Sequence, residues 1–451
     1  MSTNELTKGK VGAALLRFAL PFLAASLLQQ LYSTVDMIAV GRLASNAAAE
    51  LSAVSTGAQV MYSFNALVIG LATGSTVLIG QYVGAGQREK VSRTIGTMFP
   101  LFALTAVLIS VVLAACTRLI VAAMQVPAEA VRSAEQYLLI CAVGMIFVTG
   151  YNMVSGILRG IGDSRTPMIL VAIACAINIV GDILLVGPLQ MGAAGAAAAT
   201  VAAQGVSFLL ALAVLRRRKN FPFAFRKGSF ALRREQTSLL LKLGVPVALQ
   251  DFLIGFSFIL IAAFVNRIGL EQSASVGVVS RISSIAMLVT SAFMSAISAM
   301  TAQNIGSGQP ERAAAAARRG ILFSFVFSAA AFSVIQLFPA QVLSLFTADA
   351  GVIRQGILYM RTYSLDILLV VFVFCLNGFF SGCGHTTFSM VNNLVGTFGV
   401  RVAGTLIISL LPGTTMLHIG LAAPCCSALQ VVIQLVYLKM GKWRENTVLT
   451  E

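Results

Sequence analysis

Twelve long apolar stretches are the feature of this sequence that most restricts what it can fold into. An α-helix needs about 20 apolar residues, each rising about 1.5 Å, to cross the hydrocarbon core of a membrane. Glycine, proline or clustered charge interrupts the stretches, for example at residues 84–88 and 162–165. The predicted spans are residues 14–40, 51–80, 94–115, 134–158, 166–188, 191–215, 239–265, 273–302, 320–340, 356–382, 387–411 and 417–438.

The composition agrees with a lipid environment. Hydrophobic residues make up 58% of the 451 residues and charged residues only 10%, whereas soluble domains carry about 25% charged residues. We therefore predict an all-α membrane protein without a soluble catalytic domain. The first ten residues are polar and no small-residue cleavage pattern follows them, so we expect the first span to be retained.

The distribution of lysine and arginine predicts the orientation in the membrane. If both termini lie on one side, 23 of the 31 basic residues collect there. The opposite side holds six, which are Arg42, Arg118, Arg132, Arg267, Arg354 and Arg361. The positive-inside rule then places both termini in the cytoplasm and the protein in the cytoplasmic (inner) membrane. The basic residues that give the formal charge of +15 mostly flank the spans. Because the chain has almost no soluble face on which they could bind nucleic acid, we expect no nucleic-acid partner.

The two halves of the sequence resemble each other at a separation of about 222 residues. Residues 81–87 read QYVGAGQ and residues 303–309 read QNIGSGQ. Gly156, Gly160 and Gly162 find matching glycines at the same separation, which are Gly378, Gly382 and Gly384. Because each half holds an even number of spans, both halves insert the same way up.

This repeat predicts twelve transmembrane helices in two six-helix bundles related by a pseudo-twofold axis along the membrane normal. The N-terminal bundle is residues 1–215, a basic cytoplasmic linker is residues 216–238, and the C-terminal bundle is residues 239–451. Two like bundles leave a cleft in which alternating access can occur by rocking. Duplication is also an economical way to build a helical bundle and occurs in channels, so transport is one of two interpretations of the repeat.

Apart from charged residues assigned to the membrane boundaries near the span ends, six charged residues fall within the predicted spans, where each costs roughly 2.5–3.5 kcal/mol near the middle of the membrane. A residue so placed needs a partner or a function. The six are Asp36, Asp182, Asp251, Arg281, Asp366 and Arg401.

Asp36 and Asp182 come about five residues before the outer ends of the first and fifth spans, roughly 7 Å below the membrane boundary. Asn178 lies one turn deeper on the same face as Asp182, and Thr200 reaches a similar depth in the sixth span. Carboxylate, amide and hydroxyl oxygens suit small hard cations, and two adjacent carboxylates can share one proton. We therefore predict a site for sodium or a proton. The alternative is that both acids hydrogen-bond neighbouring helices.

The C-terminal half carries a different set of charges. None of the four oxygen-bearing residues is kept in the second half, where the matching residues, 222 or 225 positions later, are Ile261, Val400, Gly404 and Cys425. Asp251 and Arg281 reach similar depths, as do Asp366 and Arg401. If these residues form pairs, they neutralise each other and hold helices together; if they do not, they line the cavity and meet a charged substrate. Both possibilities stay open at this point.

Several motifs resemble the multidrug and toxic compound extrusion (MATE) family. The first span reads LP at residues 20–21 and LYSTVD at residues 31–36. Residues 156–167 read GILRGIGDSRTP and resemble the loop between that family's helices 4 and 5. The sequences NIVGD at residues 178–182 and GAAAAT at residues 195–200 extend the resemblance, which covers nearly the whole chain.

The resemblance implies a V-shaped pair of bundles that exports organic cations or other amphipathic compounds against sodium or proton entry. The chain looks like the DinF-like branch, in which one acid of helix 1, Asn and Asp of helix 5 and Thr of helix 6 take part in cation binding. The matching residues here are Asp36, Asn178, Asp182 and Thr200. The NorM-like branch instead uses an acid of helix 10, where this chain has Val370, with Asp366 one turn earlier.

Three other functions compete with antiport. A flippase for a lipid-linked precursor, from the same superfamily, needs a strongly cationic cavity, for which only Arg281 and Arg401 are candidates. An enzyme is disfavoured because His385 and His418 lie in predicted loops on opposite sides, and no paired metal motif, nucleophile elbow or Walker A sequence occurs. A cation site that occurs in one half alone disfavours a channel.

We expect a monomer without a cofactor. Its expected partners are a small cationic or amphipathic substrate, sodium or a proton, and membrane lipid.

Overall fold

The computed structural model describes residues 6–219 and 221–444, and these ranges contain helices, turns and loops but no strand. The helices of the first half are α1 (Val11–Leu43), α2 (Ala47–Gly84), α3 (Arg88–Ala123), α4 (Val131–Gly160), α5 (Arg165–Val186) and α6 (Gly192–Arg217). Those of the second half are α7 (Arg234–Asn266), α8 (Leu270–Gly306), α9 (Pro310–Leu337), α10 (Pro339–Ser344), α11 (Ala350–Tyr363), α12 (Leu365–Gly382), α13 (Thr386–Gly396), α14 (Ala403–Leu410), α15 (Met416–Gly420) and α16 (Ala422–Lys439).

Twelve spans in the described ranges are long and apolar enough to cross a membrane, which confirms the predicted all-α membrane fold with twelve transmembrane helices. Three predicted spans are less regular than the sequence indicated. A turn at Ser364 divides the tenth span into α11 and α12. One turn of π-helix at Thr397–Val402, which we call the π-turn, interrupts the eleventh span. The twelfth breaks at Leu421 between α15 and α16, since Pro424 has no N–H to donate to the carbonyl of Gly420.

The chain divides into two compact units. We call Leu20–Ala248 the N-terminal unit, and residues 6–19 together with 249–444 the C-terminal unit. The division falls within α1 and α7, close to Pro21 and Pro246, where proline removes a helical hydrogen bond. The bundle bounds of 1–215 and 239–451, with a linker at 216–238, stay a prediction.

The predicted repeat is reproduced in the backbone of its loops. Gly86 and Gly308 both have φ of +71°, and Gly162 and Gly384 have φ of +91° and +95°. These are left-handed values that glycine adopts without steric cost. The hydrogen bonds of the loops match as well, since the amide of Gln87 donates to Tyr82 O at 2.9 Å and that of Gln309 to Asn304 O at 2.8 Å.

The repeated glycines also bring equivalent helices into close contact. In the N-terminal unit, Gly156 of α4 faces the carbonyl of Ala72 on α2. In the C-terminal unit, Gly378 of α12 faces the carbonyl of Met294 on α8, which lies 222 residues after Ala72. A side chain at either glycine would separate the helices, and small residues are the usual means of close helix packing in lipid.

Asp163 fixes the loop between α4 and α5 to the segment after α6. Its Oδ1 accepts from the amides of Arg165 and Thr166 at 3.1 and 3.0 Å, and its Oδ2 accepts from Arg218 Nη1 at 2.8 Å. Burial alone would raise the pKa of Asp163, but hydrogen bonds from Thr166 and the nearby Arg218 guanidinium outweigh burial and hold this pKa below its usual range.

We predict that Asp163→Ala lowers the free energy of unfolding in detergent by about 1–2 kcal/mol, because α5 loses the group that accepts its first amides. Ser164→Ala is the matched control, since the Ser164 side chain makes no capping bond, and it should change stability by less than about 0.5 kcal/mol. Apparent melting temperatures measure both effects.

The loss in Asp163→Ala should depend on pH in one direction. Because the folded-state pKa of Asp163 is lowered, its contribution is complete above the unfolded pKa of about 4 and disappears as the pH falls through the folded-state value. The difference between wild type and variant should therefore shrink in acid. A difference that grows below about pH 4 would contradict this role.

Candidate cation site

Helix α5 places two polar side chains inside the N-terminal unit. Asn178 is 2% exposed and Asp182 is 0% exposed, and the two lie one helical turn apart on the same face. Both Asp182 oxygens and Asn178 Oδ1 are shielded from solvent, and no hydrogen-bond partner reaches them anywhere in residues 6–219 or 221–444. A carboxylate in such surroundings is strongly destabilised unless a cation or a proton binds it.

Asp36 of α1 lies against these groups. Its half-buried carboxyl group interacts electrostatically with the Asp182 carboxyl group and with the Asn178 side chain. Asp36 Oδ1 also lacks a donor among the described residues. Two carboxylates at this distance in a low-dielectric interior cannot both stay ionised without a positive charge between them. The pair is therefore able to hold one proton or one small cation.

Thr200 completes the group from α6. The Asn178 amide nitrogen donates to Thr200 Oγ1 at 3.2 Å, so the hydroxyl fixes the direction in which the amide points. Gly181 and Ala199 pack closely and bring α5 and α6 together at this level. The structure thus brings together all four residues that the sequence singled out, from α1, α5 and α6.

The donor set indicates which ions the group can take. It consists of two carboxylates, one amide and one hydroxyl, which are oxygen ligands of the kind that alkali cations accept. No group of three or more His, Cys, Asp or Glu side chains able to hold a metal occurs among the residues that the structure describes. The oxygen set suits sodium or a proton and lacks the nitrogen and sulfur ligands that transition metals prefer.

Two tyrosines near Asp36 were not identified from the sequence. Tyr32 lies one turn before Asp36 on α1, and Tyr137 of α4 interacts electrostatically with Asp36 and is 8% exposed. The Tyr137 ring packs on Gly57, where a side chain would occupy the same space. The four-residue spacing between Tyr32 and Asp36 could have identified Tyr32 from the sequence, because residues four apart share a helix face. The position of Tyr137 depends on tertiary packing.

The charges of the C-terminal half do not form one common site. Asp251 is half-buried and accepts a hydrogen bond from Gln250 Nε2 at 3.4 Å, while Arg281 is exposed. No ion pair joins Asp251 to Arg281 within the described ranges. The possibility that these two residues neutralise each other is therefore not realised.

Asp366 and Arg401 lie near each other but have separate partners. Asp366 is 5% exposed and accepts a hydrogen bond from Ser427 Oγ at 2.5 Å. The Arg401 guanidinium stacks over the Phe258 ring at 4.6 Å and donates to the hydroxyl of Tyr363 at 3.3 Å. Arg401 and Asp366 interact electrostatically, but no ion pair joins them among the described residues. The π-turn carries Arg401, and such turns are frequent at functional sites.

Comparison with known proteins identifies the family. The sequence profile described as MatE matches residues 21–184 and 246–407, which is most of the chain and covers both halves of the repeat. The chain belongs to the MatE family. It is therefore a multi-pass membrane transporter and not an enzyme.

Relatives and solved structures agree with this assignment over nearly the full length. The chain is 26% identical to the probable multidrug resistance protein YpnP of Bacillus subtilis, over 100% of both chains. It is 26% identical to the probable multidrug resistance protein NorM of Thermotoga maritima, over 97% of this chain and 94% of that protein. The fold matches a multidrug resistance MATE family transporter in an outward-facing conformation, with a TM-score of 0.90, 22% identity and 98% of each chain covered. Assignment to the DinF-like branch stays a prediction.

We predict that Asp182→Asn stabilises the protein in sodium-free, alkaline buffer by about 1–3 kcal/mol, because it removes one of two adjacent buried charges and supplies a donor to Asp36. The apparent melting temperature in detergent measures the effect. The gain should shrink in acidic buffer, where a proton can neutralise the wild-type pair. A lower melting temperature for Asp182→Asn than for wild type in alkaline, sodium-free buffer would contradict the described charge arrangement.

Proposed function

We propose that this transporter is a secondary antiporter that exports organic cations or other amphipathic compounds in exchange for sodium or protons, by alternating access. Asp36, Asn178, Asp182 and Thr200 form its cation site. The observation that carries the proposal is the Asp182 carboxyl group, which is completely buried beside Asp36 and receives no donor from the described residues. Such a group can bind a positive ion reversibly.

A purely structural role for the two acids is a poorer explanation. An Asn or Thr side chain holds helices together at lower cost than a carboxylate, and the hydrogen bond from Asn178 to Thr200 already joins α5 to α6. A second carboxylate beside the first adds repulsion and no bond unless a cation is present. The arrangement is therefore suited to reversible binding of a charge.

The membrane potential alone can drive export of an uncharged amphipathic compound, whereas one-for-one exchange with a monovalent organic cation moves no net charge and depends on the concentration gradient of the coupling ion. One positive charge that enters through a potential of about 100 mV releases roughly 2.3 kcal/mol, before any concentration gradient is counted. At about 1.4 kcal/mol for each factor of ten, this supports roughly fortyfold accumulation of an uncharged substrate.

The substrate class is proposed from the relatives and from the site. The named relatives are probable multidrug resistance proteins, which supports small amphipathic compounds as substrates. A flippase for a lipid-linked precursor is less well supported, because a pyrophosphate needs several free cations. Of the two candidate cations in the C-terminal unit, Arg401 is already engaged with Phe258 and Tyr363, which leaves Arg281, an exposed residue.

Substitutions that keep shape but remove charge test the proposal. In a drug-sensitive host, Asp36→Asn and Asp182→Asn should each abolish resistance, lowering it at least tenfold towards the level of the empty vector, while membrane insertion stays normal. The reason is that an amide cannot take up a proton or balance a cation. Growth inhibition by a panel of cationic compounds, with membrane protein quantified by immunoblot, measures the effect.

The matched control is Cys425→Ser, an exposed position that aligns with Thr200 in the repeat but has no acid beside it. It should leave resistance within about twofold of wild type, as surface substitutions usually do. Normal export by correctly inserted Asp36→Asn protein would remove the proposed mechanism. Equal loss in all three variants would indicate that the positions act through packing.

A further inference from the structure

Asn392 of α13 is a buried amide of the C-terminal unit that the proposed antiport does not use. Its side chain is 2% exposed, and neither its Nδ2 nor its Oδ1 has a hydrogen-bond partner among residues 6–219 and 221–444. Burial of an amide without hydrogen-bond partners is strongly unfavourable relative to water. Such a group therefore requires an explanation, and an ordered water or ion is the usual one.

An aromatic cluster lies one helical turn before this amide. Phe388, one turn before Asn392 on α13, stacks on Tyr437 of α16 with ring centroids 3.7 Å apart. Phe380 of α12 packs edge-on against both rings, at 5.1 and 5.4 Å. The three rings connect α12, α13 and α16 at one level. Asn392 lies one turn further along α13, on the same face as Phe388.

Other polar atoms lie at the level of Asn392. One turn beyond the aromatic rings, Gln434 of α16 donates from Nε2 to Asn377 Oδ1 of α12 at 2.9 Å. Gln434 Oε1 is buried and has no partner in the described structure, and the same is true of Ser389 Oγ, one turn before Asn392. Ser389 is 2% exposed and Gln434 is 0% exposed. Three side chains on two facing helices thus leave buried polar atoms unpaired within adjacent helical turns.

A further turn along the helices, the amides are satisfied again. Gln430 of α16 lies against Gly396 of α13, where a side chain would occupy the same space, and its Nε2 donates to Asn393 O at 3.2 Å. The Asn393 side chain donates to Gln250 Oε1 at 2.8 Å. The unpaired atoms of Asn392 and Gln434 therefore lie between this layer and the aromatic cluster, and Ser389 lies one turn nearer the rings. We call the group of Asn377, Ser389, Asn392 and Gln434 the amide site.

The chemistry of these atoms distinguishes between occupants. Asn392 Nδ2 needs an acceptor, whereas Asn392 Oδ1 and Gln434 Oε1 need donors, and the Ser389 hydroxyl can do either. A monovalent cation would satisfy the oxygens, but it would repel the amide hydrogens and has no carboxylate here to balance its charge. Water both donates and accepts, and a buried water makes about three hydrogen bonds.

We propose that the amide site binds about two ordered water molecules, which join α13 to α16 inside the C-terminal unit. The site has no counterpart in the N-terminal half. At the repeat separation of 222 residues, Asn392 corresponds to Leu170, which is 3% exposed, and Ser389 corresponds to Pro167. The two halves therefore specialise differently: the first carries unpaired carboxylates, and the second carries a neutral hydrated site directly before the π-turn.

Radiolytic labelling of the full-length protein in detergent with ¹⁸O-water tests the proposal, because hydroxyl radicals formed from bound water oxidise adjacent side chains. Phe380 is the reporter, since it is 0% exposed and bulk solvent does not reach it. Phe102 of the N-terminal unit, at 2% exposed, is the matched control. We expect Phe380 to be labelled at least severalfold faster than Phe102, and Asn392→Leu or Ser389→Ala to reduce that rate severalfold.

Two results would overturn the proposal. The first is labelling of Phe380 no faster than that of Phe102, together with a higher melting temperature for Asn392→Leu, because removal of a dry, unpaired amide stabilises a protein. The second is a melting temperature of Asp36→Asn protein that rises with sodium or potassium but not choline, and that loses this response when Asn392→Leu is added. That result would identify a monovalent cation at the amide site. Ser389→Ala, the smaller change, keeps the labelling test interpretable if Asn392→Leu fails to fold.

Discussion

The functional account depends on one electrostatic constraint, which is that two adjacent carboxyl groups inside a membrane protein cannot both carry a charge unless a positive ion lies with them. Asp182 is fully buried, Asp36 lies against it, and the described residues provide no donor to either Asp182 oxygen. Neither acid alone would require an ion, since a single carboxyl can bind a proton or a helix terminus. Together they make the N-terminal unit sensitive to the supply of cations on whichever side can reach them.

The C-terminal unit stabilises its buried acid in another way. Its buried acid, Asp366, has Ser427 as a hydrogen-bond donor and the Arg401 guanidinium as a nearby charge, so that it needs no mobile ion. The amide site of this unit instead holds neutral polar atoms without partners among the described residues, and these call for water and not for a cation. A duplicated fold thus carries one site for a charged ligand and, as we propose, one for a neutral ligand. This asymmetry agrees with the proposed placement of the coupling site in the N-terminal unit alone.

Much of the fold could be predicted from the sequence, because its strongest signals are local. Runs of about 20 apolar residues define spans, and the glycines at 86, 162, 308 and 384 define loops, since their positive φ values are accessible to few other residues. The proximity of Asn178 to Asp182 follows from helical periodicity, and that of Asp36 from its depth in the membrane. Resemblance to a known family added the expectation that α1 and α5 meet.

The rest could not be predicted because it depends on contacts between distant segments. The turn at Ser364, the π-turn and the division of α1 and α7 between the two units leave no periodic pattern in the sequence. The proximity of Tyr137 to Asp36 arises from the packing of α4 on Gly57 of α2. Asn392 appears from the sequence as one of several polar residues in an apolar span. Only its burial without a hydrogen-bond partner among the described residues marks it as unusual.

The most direct test of the account is efflux of a fluorescent organic cation from proteoliposomes in which sodium and pH gradients are imposed independently. The account predicts that at least one of the two gradients drives efflux by wild-type protein, and that the same gradient has no effect in liposomes containing Asp36→Asn. Efflux that proceeds at the same rate without either gradient, or that responds to the gradient equally in the variant, would contradict a coupling site formed by Asp36 and Asp182.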